Sequence, residues 1–141
     1  MTVDVLKRVA GGRISAAKIK RTAEKILRLL DRQNAELSLA LVGNEEIRKL
    51  NRRYRNQPTP TDVLSFSADE PADPRARLLG DVVISVEQAK IQAGQARRTL
   101  EAEIDWLLIH GILHLLGYDH ERSAKEARIM RALEKKITRA L

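Results

Sequence analysis

The stretch that decides how this chain is organised is His110–His120, with the sequence HGILHLLGYDH. It contains all three histidines of the 141-residue chain. His110 and His114 stand four residues apart in an apolar run that predicts a helix, and side chains at that spacing lie on one helix face. Gly117 suits the left-handed turn that commonly follows a helix end. Such a turn reverses the chain and can bring His120 back towards the other two histidines.

Three converging imidazoles predict a transition-metal site rather than buried histidines with a purely structural role, and zinc is the commonest occupant of such a site. The chain contains no cysteine and no further histidine. A closed structural zinc site needs four protein ligands, usually including cysteine, whereas three protein ligands plus water are typical of catalytic zinc. The residues therefore favour a metal ion that activates water over one that only stabilises the fold.

The spacing is also similar to that of zinc proteases with the pattern HExxHxxGxxH, but one position differs. The glutamate that serves as general base in those enzymes would stand where this chain has Gly111. Without that base, peptidase activity is disfavoured. A zinc peptidase-like hydrolase stays an alternative at this point.

Charge and composition limit the kind of protein further. The chain has 26 Lys and Arg against 19 Asp and Glu, a net charge of +7. This balance favours an anionic partner, nucleic acid first, although a merely basic surface would produce it too. The lack of cysteine fits a reducing compartment. We find neither a signal peptide nor an apolar run long enough to span a membrane, and we expect a cytoplasmic protein.

Hydrophobic patterning predicts four strands and five helices, which we assign to a single domain over residues 1–141. Strands are expected near Val3–Val9 and over Leu37–Val42, Asp62–Phe66 and Gly80–Val86. Helices are expected from Ser15 to about Leu30, from Asn44 to Tyr54, from Ser85 or Glu87 to Ala96, from Thr99 to Leu116 and from Ser123 to Thr138.

These elements predict an α/β (α+β) fold. The first strand, helix and second strand form the pattern of a parallel crossover unit. The third and fourth strands are joined without a helix, so we expect them to pair antiparallel in a mixed sheet. Gly11–Gly12 should end the first strand, and Ser67–Leu78, with Pro71 and Pro74, should form an exposed, mobile loop.

Three of the helices carry further expectations. The fourth is apolar nearly all round from Ile104 to Leu116, which predicts a central, buried helix with Trp106 in the core. Positive charge concentrates on the second helix and just past its end, in Arg48, Lys49, Arg52, Arg53 and Arg55. The last should carry an ordinary solvated face made of Glu121, Arg122, Lys125, Glu126, Arg131, Glu134 and Lys135.

The residues resemble a known family in three blocks. HGILHLLGYDH resembles the signature of the YbeY family of metal-dependent endoribonucleases, also called rRNA maturation factors. The resemblance continues through NRRYRNQPTPTDVLSF, from Asn51 to Phe66, and through GDVVIS, from Gly80 to Ser85. Together the blocks span about the last two thirds of the chain. Ser67 departs from the family, which often has proline after Ser-Phe, and this affects a loop rather than the chemistry.

The resemblance implies a four-stranded mixed sheet and a histidine-bound zinc ion, one per chain. It implies cleavage of single-stranded RNA in rRNA maturation, above all at the 3′ end of 16S rRNA, and in ribosome quality control, with the small ribosomal subunit as partner. By the match of motifs, His110, His114 and His120 are the metal ligands and Arg55 is the functionally important arginine. A ribosome-assembly RNA-binding protein with a structural metal is the alternative.

A hydrolytic mechanism suits these residues. Arg55 would hold the phosphate with its planar fork and offset developing charge. The sequence does not identify the general base: Asp119 is adjacent to a ligand, but its role could be only to orient that ligand. Attack by the 2′-hydroxyl of the RNA is a second route. Aromatic residues are only 3% of the chain, so we expect RNA to be held by its backbone, with weak sequence preference. The oligomeric state stays open.

Overall fold

The computed structural model describes residues 1–10, 14–68 and 77–141. The strands are β1 (Thr2–Lys7), β2 (Glu36–Val42), β3 (Val63–Ser67) and β4 (Leu78–Ser85). The helices are α1 (Ala16–Leu29), α2 (Asn44–Arg55), α3 (Val86–Ala96), α4 (Leu100–Leu115) and α5 (Ala124–Ala140). The expected break at Gly11–Gly12 and the prolines of the expected loop, Pro71 and Pro74, lie outside the described residues.

The four strands form one sheet in the order β1-β2-β4-β3. Strand β2 pairs parallel with both β1 and β4, whereas β3 pairs antiparallel with β4. The mixed sheet expected from the connections is therefore confirmed. Among the described strands, β3 lies at one edge of the sheet, and its residues Val63, Ser65 and Ser67 line a cleft.

The two faces of the sheet are covered unequally, as the alternation of side chains along β2 shows. Leu37, Leu39 and Leu41 point into the main core, which is completed by α1, α3, α4 and α5. Val42 points to the other face, where α2 covers a smaller cluster through Ile47. Within the described residues, the fold is thus a three-layer α/β arrangement with four helices on one face of the sheet and α2 on the other.

Side-chain caps explain where four of the helices begin. The hydroxyls of Ser15, Ser85, Thr99 and Ser123 each accept a hydrogen bond from a backbone N–H in the first turn of the helix that follows. Such a bond satisfies a donor that has no partner inside the helix, and it contributes about 1 kcal/mol. These are the helix starts predicted from the sequence.

Helix α4 is the buried centre of the main core, as its composition predicted. Its fully buried side chains are Leu107, Leu108, Ile109, Ile112 and Leu113. Burial of each contributes about 1.5–3 kcal/mol, which makes α4 a rigid support for the histidines it carries. Trp106, expected inside the core, is only partly buried and packs at its edge. No helix in the described part of the chain is long and apolar enough to cross a membrane.

Candidate metal centre

The end of α4 brings the three histidines together. Helix α4 presents His110 and His114, and the chain reverses at Gly117, whose φ is +96°. The N–H of Gly117 donates to the carbonyl of His114 at 3.0 Å, and the N–H of Tyr118 donates to that of Leu113 at 3.1 Å. This pair of bonds is the Schellman arrangement that satisfies the last carbonyls of a helix. The chain that leaves it returns His120 to the first two rings.

The imidazoles lie close enough to share one cation. One ring nitrogen of each histidine lies within 4.8 Å of the other two, and Nε2 of His110 is 3.1 Å from Nε2 of His114. Two nitrogens on one tetrahedral zinc ion lie about 3.4 Å apart when each bond is about 2.05 Å. The donor set and its spacing therefore fit a zinc ion with a fourth position left for a non-protein ligand.

The electrostatics of His114 favour the neutral ring that metal binding requires. Burial lowers the pKa of His114, and the neighbouring His110, His120 and Arg55 lower it further, while Asp119 acts in the opposite direction. A histidine binds a metal ion through a deprotonated ring nitrogen. His114 therefore loses less free energy to competition with protons than an exposed histidine would.

Glu134 corrects an expectation from the sequence, because it does not belong to a solvated face. Its side chain is only 14% exposed, and its Oε1 lies 3.2 Å from Nδ1 of His110. Residue 134 shares a face of α5 with Met130 and Ile137, which are buried against the main core. That shared helix face was the signal in the sequence that could have placed Glu134 inside.

Arg55 lines the same cleft as the three histidines, whose volume is about 370 Å³. It is the last residue of α2, and Asn56 ends the helix in a left-handed conformation with φ +56°. Buried Asn51 donates from Nδ2 to the carbonyl of Thr59 at 2.9 Å, which ties the following loop to the helix. No residue in the described ranges forms an ion pair with Arg55, so its guanidinium is available to an anion.

The loop before β3 and β3 itself supply most of the remaining cleft wall. The side chains there are Thr61, Asp62, Val63, Ser65 and Ser67, joined by Asp119 and Glu121 from the turn that carries His120. Apart from Asp119, none of these was singled out from the sequence as part of a site. They were missed because only the packing of an edge strand along α4 brings them to the histidines.

The direct contacts of the Asp119 carboxylate stabilise the turn. Its Oδ1 accepts from the backbone N–H of Glu121 at 2.8 Å, and its Oδ2 lies 3.5 Å from Nε of Arg122. The bond from Glu121 is the main cause of a lowered pKa of Asp119, which makes this carboxylate a poorer proton acceptor. Two other carboxylates lie near candidate ligands: Oε1 of Glu134, on helix α5, is 3.2 Å from Nδ1 of His110, and Oε1 of the exposed Glu121 is 4.0 Å from Nε2 of His120.

Position 111 explains why the protease pattern is interrupted. A Cβ atom on Gly111 would lie 2.8 Å from Cγ1 of Val82 and 3.3 Å from Oγ of Ser65. Ser65 already donates to the carbonyl of Gly111 at 3.1 Å. A glutamate at this position would therefore collide with the sheet, and the chain cannot present the general base that those proteases use.

A larger groove, of about 660 Å³, lies between the first turns of α1 and α4. Its rim holds the ion pair between Lys18 and Glu101, at 2.6 Å, and its wall is mainly apolar. No histidine lines it. We assign the chemistry to the smaller cleft because the metal-ligating side chains and Arg55 are there.

The sequence profile described as Endoribonuclease YbeY matches residues 7–141 of this chain. The chain belongs to the YbeY family. A Sulfurihydrogenibium protein named Endoribonuclease YbeY is 48% identical over 131 residues, covering 93% of this chain and 86% of the relative. The Aquifex aeolicus protein of the same name is 42% identical over 141 residues, covering 97% of this chain and 93% of that protein.

YbeY relatives carry the name endoribonuclease, and enzymes of this class are hydrolases that act on the phosphodiester bonds of RNA. The chain is thus an enzyme of the endoribonuclease class. A Thermotoga maritima protein whose structure was determined in solution shares the fold, with a TM-score of 0.70 and 30% identity, over 97% of this chain and 87% of that protein. The predicted α/β fold and the resemblance in the sequence are both confirmed.

Proposed function

We propose that this YbeY-family chain is a zinc-dependent endoribonuclease that cuts single-stranded RNA, as one catalytic domain over residues 1–141. We propose that it acts in the cytoplasm on rRNA, at the 3′ end of 16S rRNA, and in ribosome quality control with the small ribosomal subunit as partner. The observation that carries the proposal is the convergence in one cleft of three histidines and an arginine that forms no ion pair with any described residue.

His110, His114 and His120 would hold the ion, one per chain. Their three nitrogens leave room for water beside the protein ligands, which is the composition of a catalytic rather than a structural site. When bound, zinc supplies Lewis-acid chemistry that makes water a usable nucleophile near neutral pH. Burial, with smaller contributions from His110, His120 and Arg55, lowers the pKa of His114 and so favours the neutral ring that a metal ion binds.

Arg55 would bind and orient the scissile phosphate. Its guanidinium presents paired N–H donors whose geometry matches two phosphate oxygens, and it stays charged at every physiological pH. Arg55 lines the same cleft as His114, and its charge contributes to the lowered pKa of His114. A fixed positive charge here would offset the negative charge that develops on the phosphate in the transition state.

The experiment that tests this proposal combines cleavage with metal analysis. Zinc-loaded protein is incubated with a single-stranded RNA and with its duplex, and His114→Ala is measured beside the wild type. We expect near one zinc per chain, cutting of the single strand in preference to the duplex, and loss of zinc and cutting together in the variant. Stoichiometric zinc without any cutting would instead favour an assembly protein with a structural metal, and full zinc content in His114→Ala would contradict the ligand assignment.

A further inference from the structure

His110 is held by two side chains that are not themselves metal ligands. On one side, Oε1 of Glu134 lies 3.2 Å from its Nδ1, and the two side chains are 14% and 18% exposed. On the other side, the indole ring of Trp106 stacks on the imidazole, with ring centroids 5.0 Å apart and planes inclined by 15°. The ring of His110 therefore has little freedom to turn, and one of its nitrogens is already engaged.

The contact with Glu134 favours one tautomer of His110. If the carboxylate is ionised, it can only accept a hydrogen bond, and Nδ1 of His110 is then the donor. In the neutral ring, Nε2 then keeps its lone pair. Nε2 is the atom of His110 that faces the cluster, 3.1 Å from Nε2 of His114. The tautomer that suits Glu134 is thus the tautomer that can bind a cation at the cluster.

The position of Glu134 is fixed by packing rather than by charge. Its neighbours on the same helix face, Met130 and Ile137, are 1% and 3% exposed in the main core. Within the described residues no Lys or Arg side chain pairs with Glu134. A largely buried carboxylate is costly unless a partner donates to it, and His110 is the partner that the structure provides.

We propose that Glu134 is a positioning residue of the metal centre, which fixes the tautomer and the orientation of His110 from helix α5. The inference rests on the proposed function insofar as the cluster binds zinc. It makes the C-terminal helix part of the site, although every candidate ligand lies outside that helix. Carboxylates that accept from a ligating histidine contribute about 10–100-fold to metal affinity in other proteins.

The first test reads the tautomer directly, in metal-free protein, from long-range ¹⁵N–¹H NMR correlations of the His110 ring. At about pH 8, above the ordinary pKa of histidine, we expect the proton on Nδ1 in the wild type. Glu134→Ala should shift the proton towards Nε2. Glu134→Gln should preserve the wild-type tautomer, because its amide oxygen still accepts from Nδ1. A wild-type ring protonated on Nε2 overturns the proposal.

The second test measures the Kd for zinc by competition with a chromophoric chelator. We expect Glu134→Ala to weaken binding by about 10–100-fold, with Glu134→Gln between it and the wild type. Glu126→Ala is the matched control, since it removes a carboxylate from the same helix that pairs with Arg122 instead of a histidine. Its affinity for zinc should stay within about twofold of wild type, because it contacts no ligand.

The two tests separate this inference from the proposed function. If the wild type takes up no zinc, the proposed function fails, while the tautomer measurement still decides the role of Glu134. If the wild type binds zinc and Glu134→Ala binds it as tightly as Glu126→Ala, the positioning role is overturned and the proposed function stands. If Glu134→Ala does not fold, Glu134→Gln and the wild-type tautomer carry the test.

Discussion

Arg55 shares its cleft with the three histidines, but it comes from a helix on the opposite face of the sheet. The charge that would bind a phosphate and the nitrogens that would bind a metal ion therefore belong to independent parts of the fold. Because Arg55 is exposed and has no described ion-pair partner, its removal should leave packing unchanged. Function and folding can be separated experimentally at this position.

Substituting Arg55→Glu should reduce cleavage of single-stranded RNA by about 100-fold, because loss of one preorganised donor to the developing charge has an effect of that size. Zinc content and the midpoint of urea unfolding should stay at the wild-type values. Arg52→Glu, on the same helix and with the same change of charge, should reduce the cleavage rate far less. Equal losses of cleavage in the two variants would show that Arg55 only contributes to the general attraction of RNA.

The residue scale also shows what a sequence can and cannot predict about a site. The spacing of His110 and His114, with Gly117 after them, was enough to predict the cluster, because helix periodicity and a left-handed turn are local properties. Glu134 was misassigned because its burial depends on how α5 packs against α4. The spacing of Met130 and Ile137, seven residues apart, indicated a buried face of α5 that includes Glu134. Only the packed structure shows that this face contacts α4.

The burial of Asp105 predicts how the stability of the protein depends on pH. Burial raises the pKa of Asp105 above its ordinary value of 3.8, with Lys18 opposing and Glu101 reinforcing the shift. The folded state thus favours the neutral carboxyl, whose contribution to stability is present below the ordinary pKa and is lost as pH rises through the folded value. Near neutral pH, folding must bury a partly desolvated carboxylate.

We therefore expect Asp105→Asn to be more stable than the wild type near neutral pH, with a difference that shrinks as the pH falls towards the ordinary pKa of aspartate. The measurement is urea unfolding of both proteins over a pH series. Asp4→Asn, at an exposed position in β1, is the control and should follow the wild type at each pH. A stabilisation by Asp105→Asn that is the same at every pH would show that charge burial is not its cause.

At the scale of elements, every helix began and ended close to where the sequence predicted, and the reasons are local. A serine or threonine hydroxyl caps four of the starts, and Gly117 ends α4. Helix α2 is the exception, since it follows Gly43 without a side-chain cap. The backbone N–H of Asn44 donates to Oε1 of Glu87 instead, at 3.0 Å, which is a contact between elements that sequence patterns do not reveal.

Replacing Gly117 and replacing Gly94 with alanine should change the free energy of unfolding in opposite directions. A Cβ would have open space at both Gly117 and Gly94, but Gly117 has φ +96° whereas Gly94 lies inside α3. Gly117→Ala should lower the free energy of unfolding by about 1–2 kcal/mol, because L-residues avoid that conformation. Gly94→Ala should raise it by about 0.5–1 kcal/mol through helix propensity.

Urea unfolding of the two variants measures these changes, and zinc titration shows which one reaches the site. Gly117→Ala should also weaken zinc binding, since the turn it strains returns His120 to the cluster. Gly94→Ala should leave the Kd for zinc unchanged. A loss of stability in both variants would mean that backbone conformation is not what distinguishes the two positions.

At the scale of the whole molecule, the sequence predicted four strands, five helices and a mixed sheet, but not the order of the strands. That order, β1-β2-β4-β3, leaves β3 on the edge next to α4 and so makes the walls of the cleft. Strand order depends on contacts between residues far apart in the chain, which periodicity does not encode. The walls of the site were therefore less predictable than the histidines at its centre.

The net charge of +7 leads to a prediction about where RNA binds. Three exposed cations on α2, Lys49, Arg52 and Arg53, precede Arg55 on the helix that reaches the cleft. Binding of RNA phosphates to such side chains releases counterions, so affinity falls as the salt concentration rises. In a plot of log affinity against log salt concentration, each phosphate contact on a single strand contributes about 0.7 to the slope. If the strand follows α2 into the cleft, these residues should account for a defined part of that slope.

Replacing Lys49, Arg52 and Arg53 together with alanine should reduce the logarithmic salt slope of binding to a short single-stranded RNA by about 2. The control replaces Lys20, Arg21 and Lys25 with alanine, which removes the same charge. These residues are exposed on α1, on the other face of the sheet. The slope of this control should stay near that of the wild type, because counterion release counts local contacts rather than net charge. The slopes come from fluorescence anisotropy at four salt concentrations, with several unrelated sequences that should bind alike. Equal reductions in both variants would show that RNA responds to the overall charge and has no fixed path along α2, and strong preference among the sequences would show that bases, not the backbone, are being read.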